Sequence, residues 1–438
     1  MAVFIENPGG SSGVTIVAVP TVVNDGTYQY DGTAKGPTVT RDTDNTTITN
    51  ESATEPGTYT MVIALADPDS MIWSDLTTAS KTYEYTIEAA SAHVYGVYWD
   101  GSSSPAMSRT DDAELFTDPV PAVSNGNGSS PFDDCMPWSG MERVTDSEAG
   151  VLVKIPKFWY KWTRSGTTMK LQIADGEVDG FYVSPAHADR GDGKGERDYV
   201  YVGAYHCSTN DYKSTTGVKP KASITRETAR SSISALGSTI WQWDYAMLWT
   251  IRMLYLVEYA HWDSQAKIGY GCGNGSAAEN SGLCDAMTYH TGTNASSQTT
   301  YGHVRYRWIE DLWANVYDWC DGIYFSSATI YGIKNPASFS DSSGGTNIGT
   351  RATSSGDITQ WTLPTASGFE YALYPSAISG TDYTIYCCDR CHYGSSNPCL
   401  YVGGYYNGQS RNYGLFCSNS YGASSTGTNI GSRLQKLP

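Results

Sequence analysis

The side chains best suited to chemistry gather late in the 438-residue chain, where Cys387, Cys388, Cys391 and Cys399 surround His392. Cys388-x2-Cys391 has the spacing of a zinc-ligand pair. A firm zinc site needs a second well-spaced pair, and the adjacent Cys387 and Cys388 project to opposite faces of an extended segment. A disulfide within the cluster, or free thiols, is therefore the expected state, and no metal is assigned there. Ten cysteines in a chain this long do not form a small disulfide scaffold.

Two further groups carry charge at suggestive spacings. Asp189, Asp192, Glu196 and Asp198 lie in HADRGDGKGERD, where clustered oxygens could hold a structural Ca²⁺. Their spacing is not that of an EF-hand, and a solvated acidic loop is the simpler reading. Glu258 and His261 fall at i and i+3 near the end of an expected helix, which favours an ion pair over acid–base catalysis. No Ser–His–Asp set and no phosphate-binding glycine loop is placed convincingly. Catalytic residues are not expected, nor is any cofactor beyond that possible Ca²⁺.

The elements that must position these residues divide in two. From Gly13 to Ala89, after a short segment 1–12, brief strands (GVTIVAVPTVV, GTYQY, TVT, TYTMVIALAD, KTYEYTIEA) alternate with turn signals at Asn24-Asp25-Gly26, Asp31-Gly32 and Pro56-Gly57. That pattern predicts an all-β sandwich. From His93 the texture changes. Val151–Trp162 alternates as one strand, with Met169–Ile173 as its partner, and Tyr199–His206 is another strand. Ser223–Leu236 has helical character. Trp243–Trp262 is the strongest helix, apolar almost all round and hence buried. Trp308, Trp313, Tyr317 and Trp319 are expected to build a large core.

Formal charge excludes some partners. A net charge of −17 leaves no basic surplus to neutralise phosphates, so nucleic acid is not expected. The best apolar run, Tyr245–Ala260, is interrupted by Arg252 and Glu258, so no membrane insertion is expected. The opening MAVFIENPGG lacks a basic and apolar leader pattern, so no secretory signal is expected.

The composition of the last stretch is distinctive. Tyr386 to Thr426 holds seven Tyr, seven Ser and six Gly, but only three charged side chains, Asp389, Arg390 and Arg411. Tyr offers broad contact area at low entropic cost, and Ser, Gly and Asn offer adaptable hydrogen bonds, as in antibody-like surfaces. The same composition also suits a coil that closes a β-rich domain. Spacing favours display: Leu400/Val402, Leu415/Phe416 and Ile430/Leu434 look like a frame around the polar intervals Tyr405–Tyr413 and Ser418–Ser425, which carry no buried-strand pattern. The candidate ligand-binding residues are Tyr386, Asp389, Arg390, His392, Tyr393, Ser395, Asn397, Tyr405, Tyr406, Asn407, Ser410, Arg411, Asn412, Tyr413, Ser418, Asn419, Ser420 and Tyr421.

The arrangement VGG…GLF…NIGSRL resembles the C-terminal variable region of retroelement-diversified proteins with a C-type lectin fold, which include phage receptor-binding proteins. In that family randomised AAC codons become NNC, which encodes Tyr, Ser, Asn, Asp, Gly, His, Arg and Cys but never Trp, Glu, Met, Lys or Gln. The final stretch fits except at Gln409, Gln435 and Lys436, which the resemblance requires to be fixed. Asn315-Val316-Tyr317-Asp318-Trp319 resembles the Asn-Val-Trp-Glu-Trp motif of the formylglycine-generating-enzyme family, which shares the lectin-like architecture. Its oxidase chemistry does not carry over, because no Cys follows Gly403-Gly404 before Cys417. YDGTAKGPTVT and its following strands resemble bacterial immunoglobulin-like modules.

Together these resemblances imply an immunoglobulin-like sandwich over 13–89. A C-type lectin-like α+β domain over 93–438 follows, with a variable region at about 386–426. They imply a phage tail-tip protein of the virion, or alternatively one at the bacterial cell surface. Its ligand would be a bacterial surface protein or glycan, its N-terminal region would meet other tail proteins, and a homo-oligomer such as a trimer is plausible. The rival implications are an oxidase of the formylglycine-generating type and a purely structural tail or surface protein.

Overall fold

The computed structural model describes residues 3–4, 13–24, 26–89, 91–124, 126–380, 382–408 and 413–438. The protein is mostly β, built from several sheets. It divides into two compact units, Met1–Ser91 and Ala92–Pro438.

In the first unit, Gly57–Leu65 and Lys81–Glu88 alternate inside and outside along their length, as a strand with one wet face must. They form the centre of a four-stranded sheet flanked by Thr27–Gln29 and Thr46–Thr49. Met61, Ile63, Tyr85 and Ile87 from this sheet share a core with Val17 and Trp73 from a three-stranded sheet. The Trp73 indole N–H finds the Ala79 carbonyl at 2.9 Å, so its ring is buried without an orphaned donor.

The second unit is organised around the helix Tyr245–Tyr259, all of whose residues are buried. A helix apolar on every side is stable only when protein surrounds it. Asp244 caps it by accepting the Met247 N–H at 2.9 Å, and Ala260 ends it in a left-handed conformation (φ 48°). The strands Val94–Trp99, Thr168–Ala174 and Tyr317–Ser326 pack against it. A shorter helix, Arg226–Ser234, starts where Thr225 accepts the Thr228 N–H at 3.1 Å.

Three sheets of this unit position the terminal stretch and the central helix. The largest has nine strands, in the order Thr346–Thr350, Thr329–Gly332, Tyr317–Ser326, Cys399–Val402, Ser418–Tyr421, Arg390–His392, Gly356–Trp361 and Pro375–Ser379, with Ile430–Ser432 running parallel to Tyr317–Ser326. The terminal stretch thus contributes four strands to this sheet. A five-stranded sheet receives Leu434–Lys436 between Tyr199–Gly203 and Ile240–Gln242. A second five-stranded sheet holds Val94–Trp99 and the hairpin of Trp159–Ser165 with Thr168–Ala174.

Several expectations need correction. Val151–Trp162 is two strands in different sheets, Gly150–Pro156 and Trp159–Ser165, because the chain turns a corner after Pro156 and buries Phe158. Trp308 is half-buried, stacked under the Arg305 guanidinium at 4.7 Å, while Trp313 and Trp319 are interior. Glu258 and His261 do not pair. The helix ends between them, so Glu258 turns inward to Arg307 (2.6 Å) and the Tyr306 hydroxyl (2.9 Å), and His261 accepts the Asp263 N–H at 3.0 Å. Among the described residues, no helix is long and apolar enough to cross a membrane.

Candidate ligand-binding surface

The frame strands place two tyrosines side by side. In Cys399–Val402, Leu400 and Val402 face the core, so Tyr401 faces the other way, towards Tyr317 of the neighbouring strand at 4.7 Å between ring centroids. Tyr405 stacks on Tyr317 at 5.1 Å, Tyr413 lies edge-on at 6.1 Å, and Tyr406 follows Tyr405 at 5.9 Å. At the other end Tyr421 meets Tyr401 at 5.9 Å and is 41 % exposed. Six tyrosines thus form one continuous array, running from buried Tyr317 to exposed Tyr421. Burial raises the phenols of Tyr317, Tyr401 and Tyr413, so these three offer rings and neutral hydroxyls.

The loops carrying these rings are held from below. Gly403 needs its left-handed φ of 72°, and a side chain on Gly404 would meet the Tyr413 carbonyl at 2.8 Å. The Tyr406 N–H donates to the Asn315 carbonyl at 2.8 Å, and its own carbonyl accepts the Gly275 N–H at 2.5 Å. Further on, Asp389 accepts the N–H groups of Gly414 (2.6 Å) and Phe416 (2.7 Å), and the Ser264 hydroxyl accepts that of Leu415 (3.0 Å). Phe416 plugs a cage of Trp249, Tyr255, Trp262 and Trp361 at centroid distances of 5.0–6.5 Å.

The expected ligand-binding residues separate accordingly. Tyr405, Tyr406, Tyr413 and Tyr421 belong to the array, with Asn407 exposed beside it. His392, Tyr393, Ser395 and Asn397 form a second group on the turn before Cys399. There Tyr393 stacks under Arg351 at 4.7 Å, and Asn397 donates to the Ser420 carbonyl at 3.0 Å. Tyr386 and Arg390 are half-buried elsewhere on the segment. Ser410, Arg411 and Asn412 lie outside the described residues.

Four expected positions are interior and cannot present side chains to a ligand: Asp389, Ser418, Asn419 and Ser420. Ser418–Tyr421 is a strand inside the nine-stranded sheet, not a display loop. Small polar side chains fit there because each finds a local partner. Ser418 donates to the Phe416 carbonyl (3.1 Å), Asn419 to Cys417 Sγ (3.0 Å) and Ser420 to the His392 carbonyl (3.1 Å). The sequence reading does not include buried Tyr317 or half-buried Tyr401, which join the exposed rings into one array. The Leu-Tyr-Val alternation at 400–402 was the available signal for Tyr401.

The other candidate groups have the following surroundings. Cys387, Cys388, Cys391 and Cys399 are free buried thiols, with Cys387 Sγ accepting the Trp361 indole N–H at 3.1 Å. In the acidic loop, Asp198 pairs with Lys157 at 2.8 Å and Asp192 with Arg197. Asp189 and Glu196 line a cavity of ≈350 Å³ with Trp159, Phe181, Lys334 and Glu370. Cys417, the first thiol after Gly403-Gly404, is fully buried, and burial raises its pKa, which disfavours the thiolate. No family model matches the chain, and no curated protein matches it.

Proposed function

We propose that the chain is a receptor-binding protein that presents the tyrosine array to a ligand on a bacterial cell, from a C-type lectin-like domain of the retroelement-diversified kind preceded by an immunoglobulin-like module. The array is the observation that carries this reading. Contiguous, partly exposed tyrosines over a packed frame are what a binding surface needs: aromatic anchors already ordered before contact. Gln435 and Lys436 add support. They depart from the codon restriction and sit in the frame, where Gln435 donates to Asp244 at 2.9 Å and Lys436 bonds Asp146 at 2.5 Å. The setting we infer is the tip of a phage tail, with a surface protein or glycan as target and other tail proteins meeting the N-terminal region.

The test is binding of the full chain to intact bacterial cells and to an array of bacterial surface glycans. Tyr405→Ala and Tyr421→Ala should weaken binding, and Tyr182→Ala, on an unrelated exposed strand, should not. Equal binding by all three variants would reject the array as the contact surface.

A further inference from the structure

Beneath the array, three side chains from separate segments converge. His303 Nδ1 lies 2.7 Å from Asp311 Oδ2 and 3.8 Å from Cys272 Sγ, and one donor atom from each residue falls within 4.8 Å of the other two. We propose that Cys272, His303 and Asp311 bind a divalent transition-metal ion, Zn²⁺ by preference, and that this ion braces the loop carrying Tyr405 and Tyr406. The bracing role rests on the display function proposed above; the metal site itself does not.

Donor chemistry selects the ion. A thiolate, an imidazole and a carboxylate suit Zn²⁺, whereas Ca²⁺ and Mg²⁺ want oxygen alone. Around a tetrahedral zinc, bonds of about 2.0–2.3 Å place donor atoms roughly 3.3–3.8 Å apart. The Cys272–His303 separation already matches. The His303–Asp311 contact would open by less than about 1 Å as the ion replaces the proton between them. Three protein ligands leave the fourth position to water.

The surroundings are those of a built site. With Nδ1 on the metal, His303 Nε2–H faces Glu279 Oε2 at 3.4 Å, the carboxylate–histidine–metal arrangement that fixes tautomer and ring angle. Asn315 Nδ2 donates to Asp311 Oδ2 at 3.1 Å, orienting the carboxylate in turn. Cys272, His303 and Asp311 are each at most 6 % exposed. Gly271 lets the Cys272 loop press on Ala314, since a Cβ there would stand 2.5 Å from that side chain. Arg307, Trp308, Asp311, Ala314 and Asn315 all hold positive φ, between 42° and 70°, a concentration of backbone strain that packing alone seldom retains.

A nucleophilic Cys–His–Asp relay does not fit. Cys272 and Asp311 both address Nδ1, whereas a relay needs the acid on the other ring nitrogen, and the carboxylate there, Glu279, is half-exposed and stands off at 3.4 Å.

The link to the loop is direct. Asn315, which orients Asp311, also accepts the Tyr406 N–H through its carbonyl, and Gly275, three residues beyond Cys272, donates to the Tyr406 carbonyl. Fixing Cys272 and Asp311 to one ion fixes both grips on Tyr406.

The experiment strips the full-length protein with EDTA, then adds Zn²⁺ or Co²⁺ alone. Expected are about one ion per chain by elemental analysis, a sulfur-to-cobalt charge-transfer band, and slower hydrogen exchange at the Gly275 and Tyr406 amides. Cys272→Ser, the smallest change, should lose the charge-transfer band, while Cys387→Ser should keep it. Glu279→Gln, on a half-exposed side chain, should weaken the metal by about tenfold without unfolding anything. No stoichiometric uptake, or a band unchanged in Cys272→Ser, would overturn the site. Uptake without slower exchange at Tyr406 would overturn the brace. Neither result depends on cell binding, so a failed receptor assay and a failed metal assay speak to different claims.

Discussion

The Arg252 guanidinium, midway along the buried helix, donates through Nε and Nη2 to the Leu415 carbonyl at 3.0 and 2.9 Å. The charge that breaks the apolar run Tyr245–Ala260 is thus the anchor of the terminal stretch. It also reaches the Cys417 carbonyl (3.3 Å) and packs over Trp249 and Phe416. Arg252→Met keeps the bulk but leaves buried carbonyls without a donor. We expect a loss of about 2 kcal/mol in urea unfolding, since bonds from charged donors exceed ordinary ones. An unchanged midpoint would mean that relief from burying the charge offsets the lost bonds.

Asp389 makes the same segment sensitive to pH. Burial pushes its carboxyl up to about 7, from an ordinary 3.8, despite the two N–H groups that favour the anion. The folded state therefore holds a proton that the unfolded chain releases. The stability is fully present below about pH 4, declines as pH rises to about 7, and is level above that, a change of up to about 4 kcal/mol. Melting curves across this window should show a steeper decline in the native protein than in Asp389→Asn. Parallel curves would place the proton elsewhere.

Core and surface residues should part company in stability. Trp319, fully buried with its indole N–H on the Ile224 carbonyl at 2.9 Å, should cost about 3–5 kcal/mol as Trp319→Ala. Tyr421→Ala and Asn407→Ala, both at exposed positions, should stay within about 0.5 kcal/mol. Trp308→Ala should fall between, because the ring is only half-buried. Similar losses at Trp319 and Tyr421 in chemical denaturation would contradict a frame with displayed loops.

Binding energy should concentrate at the middle of the array. Tyr405 touches Tyr317, Tyr406 and Tyr413, so truncating it should weaken cell binding by about 2 kcal/mol, against under about 1 kcal/mol for Ser395→Ala on the separate turn. Since no acidic or basic side chain belongs to the array, raising salt should change little. Titrations of cell binding at two ionic strengths test both points; a steep salt loss would implicate a charged surface instead.

Each unit has its own core, so a chain beginning at Ala92 should fold alone. A cooperative melt and resistance to protease would bear this out. Aggregation relieved only by restoring residues 1–91 would refute it.

Much of the layout is legible in the sequence. The all-round apolar run at 245–259 could only be a buried helix, and the alternation in Gly57–Leu65 could only be a half-wet strand. Other features depend on distant partners. Ser418-Asn419-Ser420 looks like loop because nothing local reveals that Cys399–Val402 and Arg390–His392 will flank it. Glu258 and His261 share a helical face on paper, yet the left-handed turn at Ala260 separates them. His303 and Asp311 flank one short hairpin, but Cys272 lies 31 residues before His303, so the three do not register as a motif until the fold brings the Cys272 loop to that hairpin. The tyrosine stretch was visible as composition, but its continuity needed Tyr317, which is supplied by a strand some 90 residues earlier.

The seat of Leu434–Lys436, between strands whose residues Tyr201 and Ile240 both pair with Lys436, bears on how the protein is made. Until translation passes residue 436, that sheet has an empty interior slot, and two unpaired edges face solvent. Pairing of such separated residues is slow and comes late. A frameshift or stop codon anywhere in the preceding loops would deprive the slot of its strand. Faulty versions of the surface are therefore expected to remain open to proteases, while intact ones close. Ribosome-stalled chains ending before Leu434 should be digested readily and those extending past Pro438 should resist; equal resistance would refute this. The closing strand would then act as a proofreading step on everything translated before it.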